Sequence, residues 1–442
     1  MKIQLSDHFG YKKLLRFTLP SILMMIFTSI YGVVDGLFVS NFVDKTAFTA
    51  VNFIMPVLMM LGCVGFMFGA GGSALIAKTL GEGDRDRAQR YFSLFVCATV
   101  IIGVTLAAVA ALLIRPIAAL MGAEGQMLED CVLYAGINLI ALPCLMLQFE
   151  FQSFFITAEK PNLNLLVTLI AGVMNIVLDA LFIAAFKWGI AGAAAATAIS
   201  QAVGGILPLI YFARDNTSLL RLRPTRFDGR ALLKACTNGS SELMSNISMS
   251  AVNMLYNVQL IAYAGEDGVA AYGVLMYVNL VFLAIFIGYS VGTAPIVGYH
   301  YGAGNRDELK SLLRKSLLII GITSVAMLLM AELLGGPLSD VFVGYDPALR
   351  DMTARAFAIF SFSFLFAGFA IYGSSFFTAL NNGVVSALIS FLRTLVFQIA
   401  AVLIFPLIWQ LDGIWFSIVA AEVMAVAMTA AFLLALRKRY GY

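Results

Sequence analysis

Charge, histidine and cysteine are scarce in this chain, and each shortage excludes something. Only 12% of the 442 residues are charged, against about a quarter in a soluble domain, so a water-facing globule is excluded. The five cysteines (Cys63, Cys97, Cys131, Cys144, Cys236) are scattered and make no CxxC pair. They read as small hydrophobes rather than disulfides or metal ligands. The two histidines, His8 and His300, take no assignment. HExxH does not occur, and the GxSxG match, GYSVG at Gly288–Gly292, lies inside an apolar run rather than at a strand-to-helix turn, which leaves a membrane enzyme without a catalytic motif in its required context. The net charge of +3 calls for no nucleic-acid partner.

What is abundant is apolar. The chain is 61% hydrophobic, with a mean hydropathy of +0.92. Stretches such as Phe92 to Ile114 hold no charge, and about 20 apolar residues suffice to cross a bilayer as a helix. Such stretches recur throughout, which predicts an all-α polytopic membrane protein. Ser6, Asp7 and His8 precede a first span too long for a secretory signal. The predicted spans are 14–39, 48–77, 91–114, 131–156, 163–186 and 188–213, then 237–264, 268–299, 311–335, 352–379, 383–409 and 411–437.

The chain also repeats itself at an offset of 221, half its 442 residues. GEGDRD at Gly81–Asp86 returns as GAGNRD at Gly302–Asp307, Phe155, Thr157 and Ala158 meet Phe376, Thr378 and Ala379, and Gly192 meets Gly413. Six spans per half put both copies the same way up, related by a pseudo-twofold axis along the membrane normal. The expected division is an amino-terminal lobe 1–213, a linker 214–236 and a carboxy-terminal lobe 237–442. With both termini inside, 22 Lys and Arg face the cytoplasm and 5 face out. The positive-inside rule therefore orients the protein and supports twelve spans.

A charge within a span costs at least about 2.5–3.5 kcal/mol on insertion scales and marks a functional candidate. Asp35 lies about 31 Å along span one and Asp179 about 24 Å along span five, both in the outer half. Asn175 sits one turn before Asp179 on the same face, and Thr197 lies about 14 Å into span six. At the offset of half the 442 residues these become Tyr256, Val396, Ala400 and Ile418. A set of carboxylates, amide and aliphatic hydroxyl lost together from the second copy points to a one-sided cation site. Two neighbouring carboxylates repel when both are charged, which suits a site that alternately holds a proton or a small cation. Glu150, Glu242 and Glu332 fall near span ends and read as interfacial side chains. Arg393 and Glu422, both near mid-depth, read first as a structural ion pair and otherwise as substrate-cavity candidates. The 20 Met and 35 Phe suit a promiscuous cavity or ordinary helix packing equally.

The chain resembles the multidrug and toxic compound extrusion (MATE) family over essentially its whole length. The resemblance rests on FTLPSILMMIFTSIYGVVDGLFVS in span one, GEGDRDRA with its echo GAGNRDEL, NIVLDALF in span five and GIAGAAAATAIS opening span six. It implies a secondary antiporter of bacterial or archaeal plasma membranes. Such a transporter exports organic, cationic and amphipathic compounds in exchange for H⁺ or Na⁺, works as a monomer, and needs no cofactor beyond the coupling ion. It places the ion on Asp35, Asn175, Asp179 and Thr197, which would also be the metal ligands if the ion is Na⁺. It adds Tyr31 and Gln152 to the polar cavity of that lobe and makes Pro20 a bend point of span one. A branch of the family with further acids in spans seven and ten is matched only by Glu242 and the peripheral Asp351, which favours coupling through the amino-terminal lobe alone. A major-facilitator transporter would need a differently spaced loop after span two. A lipid-linked saccharide flippase would line its cleft with more cations than Arg393.

Overall fold

The computed structural model describes residues 3–43 and 45–442, without the side chains of Val33, Gly36, Leu37, Ser40, Asn41 and Lys45. Of the charge count, Lys2 therefore lies outside the described residues, and of Lys45 only the backbone is described. The chain is all-α, with no strand among the described residues. The first half comprises α1 (Tyr11–Phe42), α2 (Lys45–Gly81), α3 (Arg85–Leu120), α4 (Gly125–Thr157), α5 (Pro161–Ala185) and α6 (Gly189–Ala213). One helical stretch, Gly229–Gly302, is 74 residues long and breaks at Gly265, whose φ of 64° and ψ of −150° are not helical. The break gives α7 (229–264) and α8 (266–302). Then follow α9 (Arg306–Val343), α10 (Pro347–Ala379), α11 (Gly383–Ile404) and α12 (Pro406–Tyr440). Eleven stretches are long and apolar enough to cross a membrane, and the break at Gly265 makes them twelve spans.

The repeated loop shows what its residues do. Gly83 and Gly304 hold φ of 86° and 68°, a left-handed conformation that costs glycine nothing. Asp84 and Asn305 follow as helix caps, accepting from the backbone N–H of Arg87 (2.9 Å) and of Glu308 (3.1 Å). A Cβ on Gly81 would collide with the carbonyl of Tyr299, and one on Gly302 with that of Lys78. These two contacts exchange under the offset of half the 442 residues. Gly71 against Gly239 of α7 likewise mirrors Gly292 of α8 against Thr18 of α1. Small residues let helix backbones approach this closely, and the reciprocity is that of a pseudo-twofold axis.

These approaches lie toward the end of the bundle that carries both chain termini. There Asn381 donates from Nδ2 to the Ala74 carbonyl of α2 at 3.1 Å and accepts at Oδ1 from Asn238 of α7 at 2.7 Å. The segment before α1 ties the halves as well. Leu5 N–H donates to Glu159 after α4 (2.8 Å), and Phe9 N–H donates to Glu308 on α9 (2.9 Å). Farther from this end Met60 of α2 and Met254, Val258 and Ile261 of α7 are exposed. The halves are thus closed at the terminal end.

Two expectations need correction. The seventh helix begins at Gly229, not at 237, because Asp228 caps it by accepting from the N–H groups of Arg230 and Ala231. A hydropathy reading sees only the apolar part of that helix. Glu150 is not interfacial: it is 0% exposed in α4, its Cα against Gly69 of α2 and its carboxyl beside Thr99 of α3. Helix packing, rather than distance from the span end, sets its surroundings.

Candidate functional site

α1 packs against α5, and α6 against both α4 and α5. Gly172 of α5 sits under the rings of Phe27 and Tyr31 of α1, so the two helices come close where their acids lie. The carboxyls of Asp35 and Asp179 face each other, and the Asn175 side chain adjoins Asp35. Tyr31 lies beside Asp35 one turn earlier on α1. Asp179 closes the regular part of α5, and the chain continues as a π-helical turn, Ala180–Ala185. Such turns recur at functional sites.

The fourth wall comes from α4. The buried Tyr134 places its hydroxyl beside Thr197 of α6 and beside Asn138, within electrostatic reach of both acids. Sequence reasoning missed Tyr134 and Asn138. The offset that singled out the other oxygens held the signal for Asn138, because its counterpart in the second half is Ile359.

The pocket is rich in unused acceptors. Asp35 Oδ1, both Oδ atoms of Asp179, Thr197 Oγ1 and Asn138 Oδ1 are buried with no aligned hydrogen-bond donor among the described residues. A buried acceptor without a donor is costly. A set of five on three helices and α1 fits a proton or a hard monovalent cation, which prefers oxygen. No cluster of three or more His, Cys, Asp or Glu of the kind that holds a divalent or transition metal occurs among the described residues.

Four other candidate residues lie elsewhere. Gln152 is about 21 Å along α4 from Asn138, buried, its carbonyl accepting from Asn164 Nδ2 at 2.7 Å. That distance removes it from the acid pair. Pro20 sits within α1, which runs unbroken from Tyr11 to Phe42. Arg393 and Glu422 form a bidentate pair in the second half. Nε lies 2.9 Å from Oε2 and a terminal nitrogen 2.8 Å from Oε1, with side chains 14% and 7% exposed. Arg393 stands in a π-helical turn of α11, Leu392–Val396. Of the acids read as interfacial, Glu332 is exposed and accepts from Ser361, and Glu242 of α7 faces Cys63 of α2.

Comparisons with known proteins agree with this architecture. The MatE family model matches the chain twice, over residues 20–181 and 243–404. Multidrug export protein MepA of Staphylococcus saprophyticus is 24% identical over 428 residues, spanning 94% of this chain and 92% of that protein. Its namesake in Staphylococcus aureus is 23% identical over 430 residues, spanning 97% and 94%. Among solved structures, a multidrug resistance MATE family transporter of the MOP superfamily in an outward-facing conformation superposes with a TM-score of 0.91 at 23% identity, covering 98% of each chain. A MOP superfamily transporter from Pyrococcus furiosus gives 0.89 at 23% identity, covering 98% of this chain and 97% of its own.

Proposed function

This chain belongs to the MatE family, and from that premise we propose that it is a secondary antiporter exporting organic, cationic and amphipathic compounds in exchange for H⁺ or Na⁺. The observation that carries the reading is the meeting of Asp35 and Asp179, with unused oxygens of Thr197 and Asn138 around them. Asp35, Asn175, Asp179 and Thr197 hold the coupling ion in this reading, Tyr134 positions the Thr197 hydroxyl, and Tyr31 borders the pocket toward the substrate. Arg393 and Glu422 are assigned to the frame of the second lobe, and Pro20 to flexing of α1. The multidrug export relatives support the substrate class.

The mechanism uses the two halves as rocking bodies, 1–213 and 237–442 joined through 214–236, in one monomer of a plasma membrane with both termini in the cytoplasm. The closed terminal end then faces the cytoplasm and the cleft faces out. Entry of the ion between Asp35 and Asp179 relieves their mutual repulsion. That draws α1 and α5 together and favours the conformation that has released substrate. Return to the cytoplasmic side separates the reciprocal glycine contacts at the terminal end. Each net charge moved inward through 100 mV supplies about 2.3 kcal/mol, enough for roughly a fiftyfold substrate gradient at RT of about 0.6 kcal/mol, whereas a one-for-one exchange with a monovalent organic cation moves no net charge and is driven by the concentration gradient of the coupling ion.

The test is efflux of a fluorescent organic cation from proteoliposomes under an imposed pH or Na⁺ gradient. One of the two gradients drives it in the native chain, and Asp179→Asn, folded and inserted, does not respond. Gradient-driven efflux by that variant at the native rate removes the acid pair from the mechanism.

A further inference from the structure

At the terminal end the loop between α6 and α7 is not a free tether. Leu222 N–H donates to the Phe212 carbonyl at 2.9 Å, Arg223 N–H to Ser93 Oγ at 2.8 Å, and Thr225 Oγ1 to the Arg90 carbonyl at 3.0 Å. Leu220 is 0% exposed, packed among the aromatics of α3, α4 and α6. The loop is therefore strapped across the first turns of α3, and the strap creates two adjoining hollows.

The first is a polar cavity of about 230 Å³ walled by Arg85, Asp86, Gln89, Ser218, Arg221 and Arg223. Arg85 is held by the carbonyls of Ser218 (3.1 Å) and Leu219 (3.3 Å). Asp86 meets Arg223 at 3.2 Å, and Arg221 pairs with Asp215. On the wall itself three guanidinium groups stand against one carboxylate, and the cavity opens at the N-terminus of α3, the positive end of its dipole. Gln89 is 3% exposed, donates from Nε2 to the Leu219 carbonyl at 3.1 Å, and leaves Oε1 without a donor. The second hollow, about 470 Å³, is apolar. It shares Arg223 with the first and runs along α3 and α6 past Val96, Cys97, Val100, Ile101 and Leu209. Ile101 is 66% exposed, so this groove lies on the flank that a helix of this hydropathy turns to lipid.

We infer that these two hollows form one site for an anionic phospholipid with a hydroxyl-bearing headgroup, of the phosphatidylglycerol type. The phosphodiester sits among Arg85, Arg221 and Arg223, whose planar forks suit phosphate oxygens. A headgroup hydroxyl donates to Gln89 Oε1, and an acyl chain fills the apolar groove. Basic pockets beside membrane helices select anionic headgroups in this way. In the second half the counterpart of Arg85, Arg306, packs instead against Gly441 of the carboxy-terminal tail. The proposed site belongs to the first half. It does not depend on the transport reading.

The experiment uses the full purified chain in neutral detergent, with native mass spectrometry after titration with dioleoyl phosphatidylglycerol, dioleoyl phosphatidylcholine or inorganic phosphate. One phosphatidylglycerol should be retained at a concentration at least tenfold below that needed for phosphatidylcholine, and millimolar phosphate should not displace it. The pair Arg221→Gln with Arg223→Gln should reduce retention at least tenfold. Cys97→Trp, at an exposed position, should reduce it comparably by filling the groove while leaving the arginines intact. Equal retention of the two lipids, displacement by free phosphate, or indifference to Cys97→Trp would each overturn the assignment. Unaltered retention in the arginine pair would do the same. Should that pair fail to fold, Cys97→Trp and the comparison of the two lipids still decide.

Discussion

The two halves share a scaffold and differ in what they leave unsatisfied. In the first, Asp35 and Asp179 meet with bare oxygens. In the second, their counterparts are Tyr256 and Ala400. Tyr256 stacks on Tyr272 at 5.6 Å and donates to Gln398 Oε1 at 2.7 Å, while Tyr272 donates to Asn253 at 2.9 Å. The bidentate pair of the second half, Arg393 and Glu422, is spent on itself. Among the described residues, every buried carboxylate oxygen without a partner belongs to Asp35, Glu150 or Asp179, all in the first half. A saturated polar network holds a lobe together. An unsaturated one waits for a ligand, and the duplication lets the two be read side by side.

The strongest way to break this comparison is to make the first half resemble the second. Asp35→Asn, which keeps the shape and removes the charge, is expected to abolish ion-driven efflux in proteoliposomes while the protein remains folded in the membrane. Native coupling in that variant would show that the asymmetry is incidental. The converse test removes half of the second lobe's pair. Glu422→Gln strands a largely buried guanidinium, and breaking a buried pair costs about 3–5 kcal/mol. The expected result is a large fall in thermal stability in detergent with the choice of coupling ion unchanged. Replacing both partners with Arg393→Met and Glu422→Leu should recover most of the loss. If Glu422→Gln instead changes the ion dependence and leaves stability alone, the pair belongs to the coupling machinery.

Much of this could be read before any coordinates. The offset of half the chain singled out Asp35, Asn175, Asp179 and Thr197 because a repeat acts as its own control: shared residues report the scaffold and unshared ones the candidates for a site. Hydropathy found the spans for the simple reason that a bilayer demands apolar length. It failed where the demand is local. Asp228 starts α7 before the apolar stretch does, and Glu150 is buried by neighbouring helices rather than by depth. Tyr134 was not legible, since its counterpart, Arg355, is itself polar and is exposed where it pairs with Asp412. Gln152 stands well away from the acid pair because a helix carries residues of one polar character to quite different depths.

The shared features can be tested as sharply as the divergent ones. If Gly81 and Gly302 do one job twice, alanine at either should have the same consequence. Each added Cβ collides with a backbone carbonyl of the other half, and overpacking of this kind costs about 1–3 kcal/mol. Both variants should weaken closure at the terminal end, read as increased labelling by a water-soluble maleimide of a cysteine introduced at Ser241, which is 1% exposed beside the Asn238–Asn381 bond. Unequal effects would mean that the seal is not governed by the pseudo-twofold contact.

The smallest expected effect is the most discriminating. Asn138 donates from Nδ2 to the Tyr134 carbonyl at 2.9 Å, is 4% exposed, and keeps Oδ1 unpaired toward the acid pocket. The second half carries Ile359 at this place. Asn138→Ile therefore installs the residue that the sister scaffold accommodates, so the helix should tolerate it. What disappears is one amide beside Tyr134, the residue that reaches both acids and Thr197. A single hydrogen bond contributes about 1 kcal/mol net, so the ion concentration giving half-maximal efflux should rise several-fold, with thermal stability and maximal rate nearly unchanged. A purely structural Asn138 would shift stability and leave ion affinity alone. A member of the ion pocket does the reverse, and the pocket then extends to α4, beyond the three helices on which the acids, the amide and the hydroxyl were first noticed.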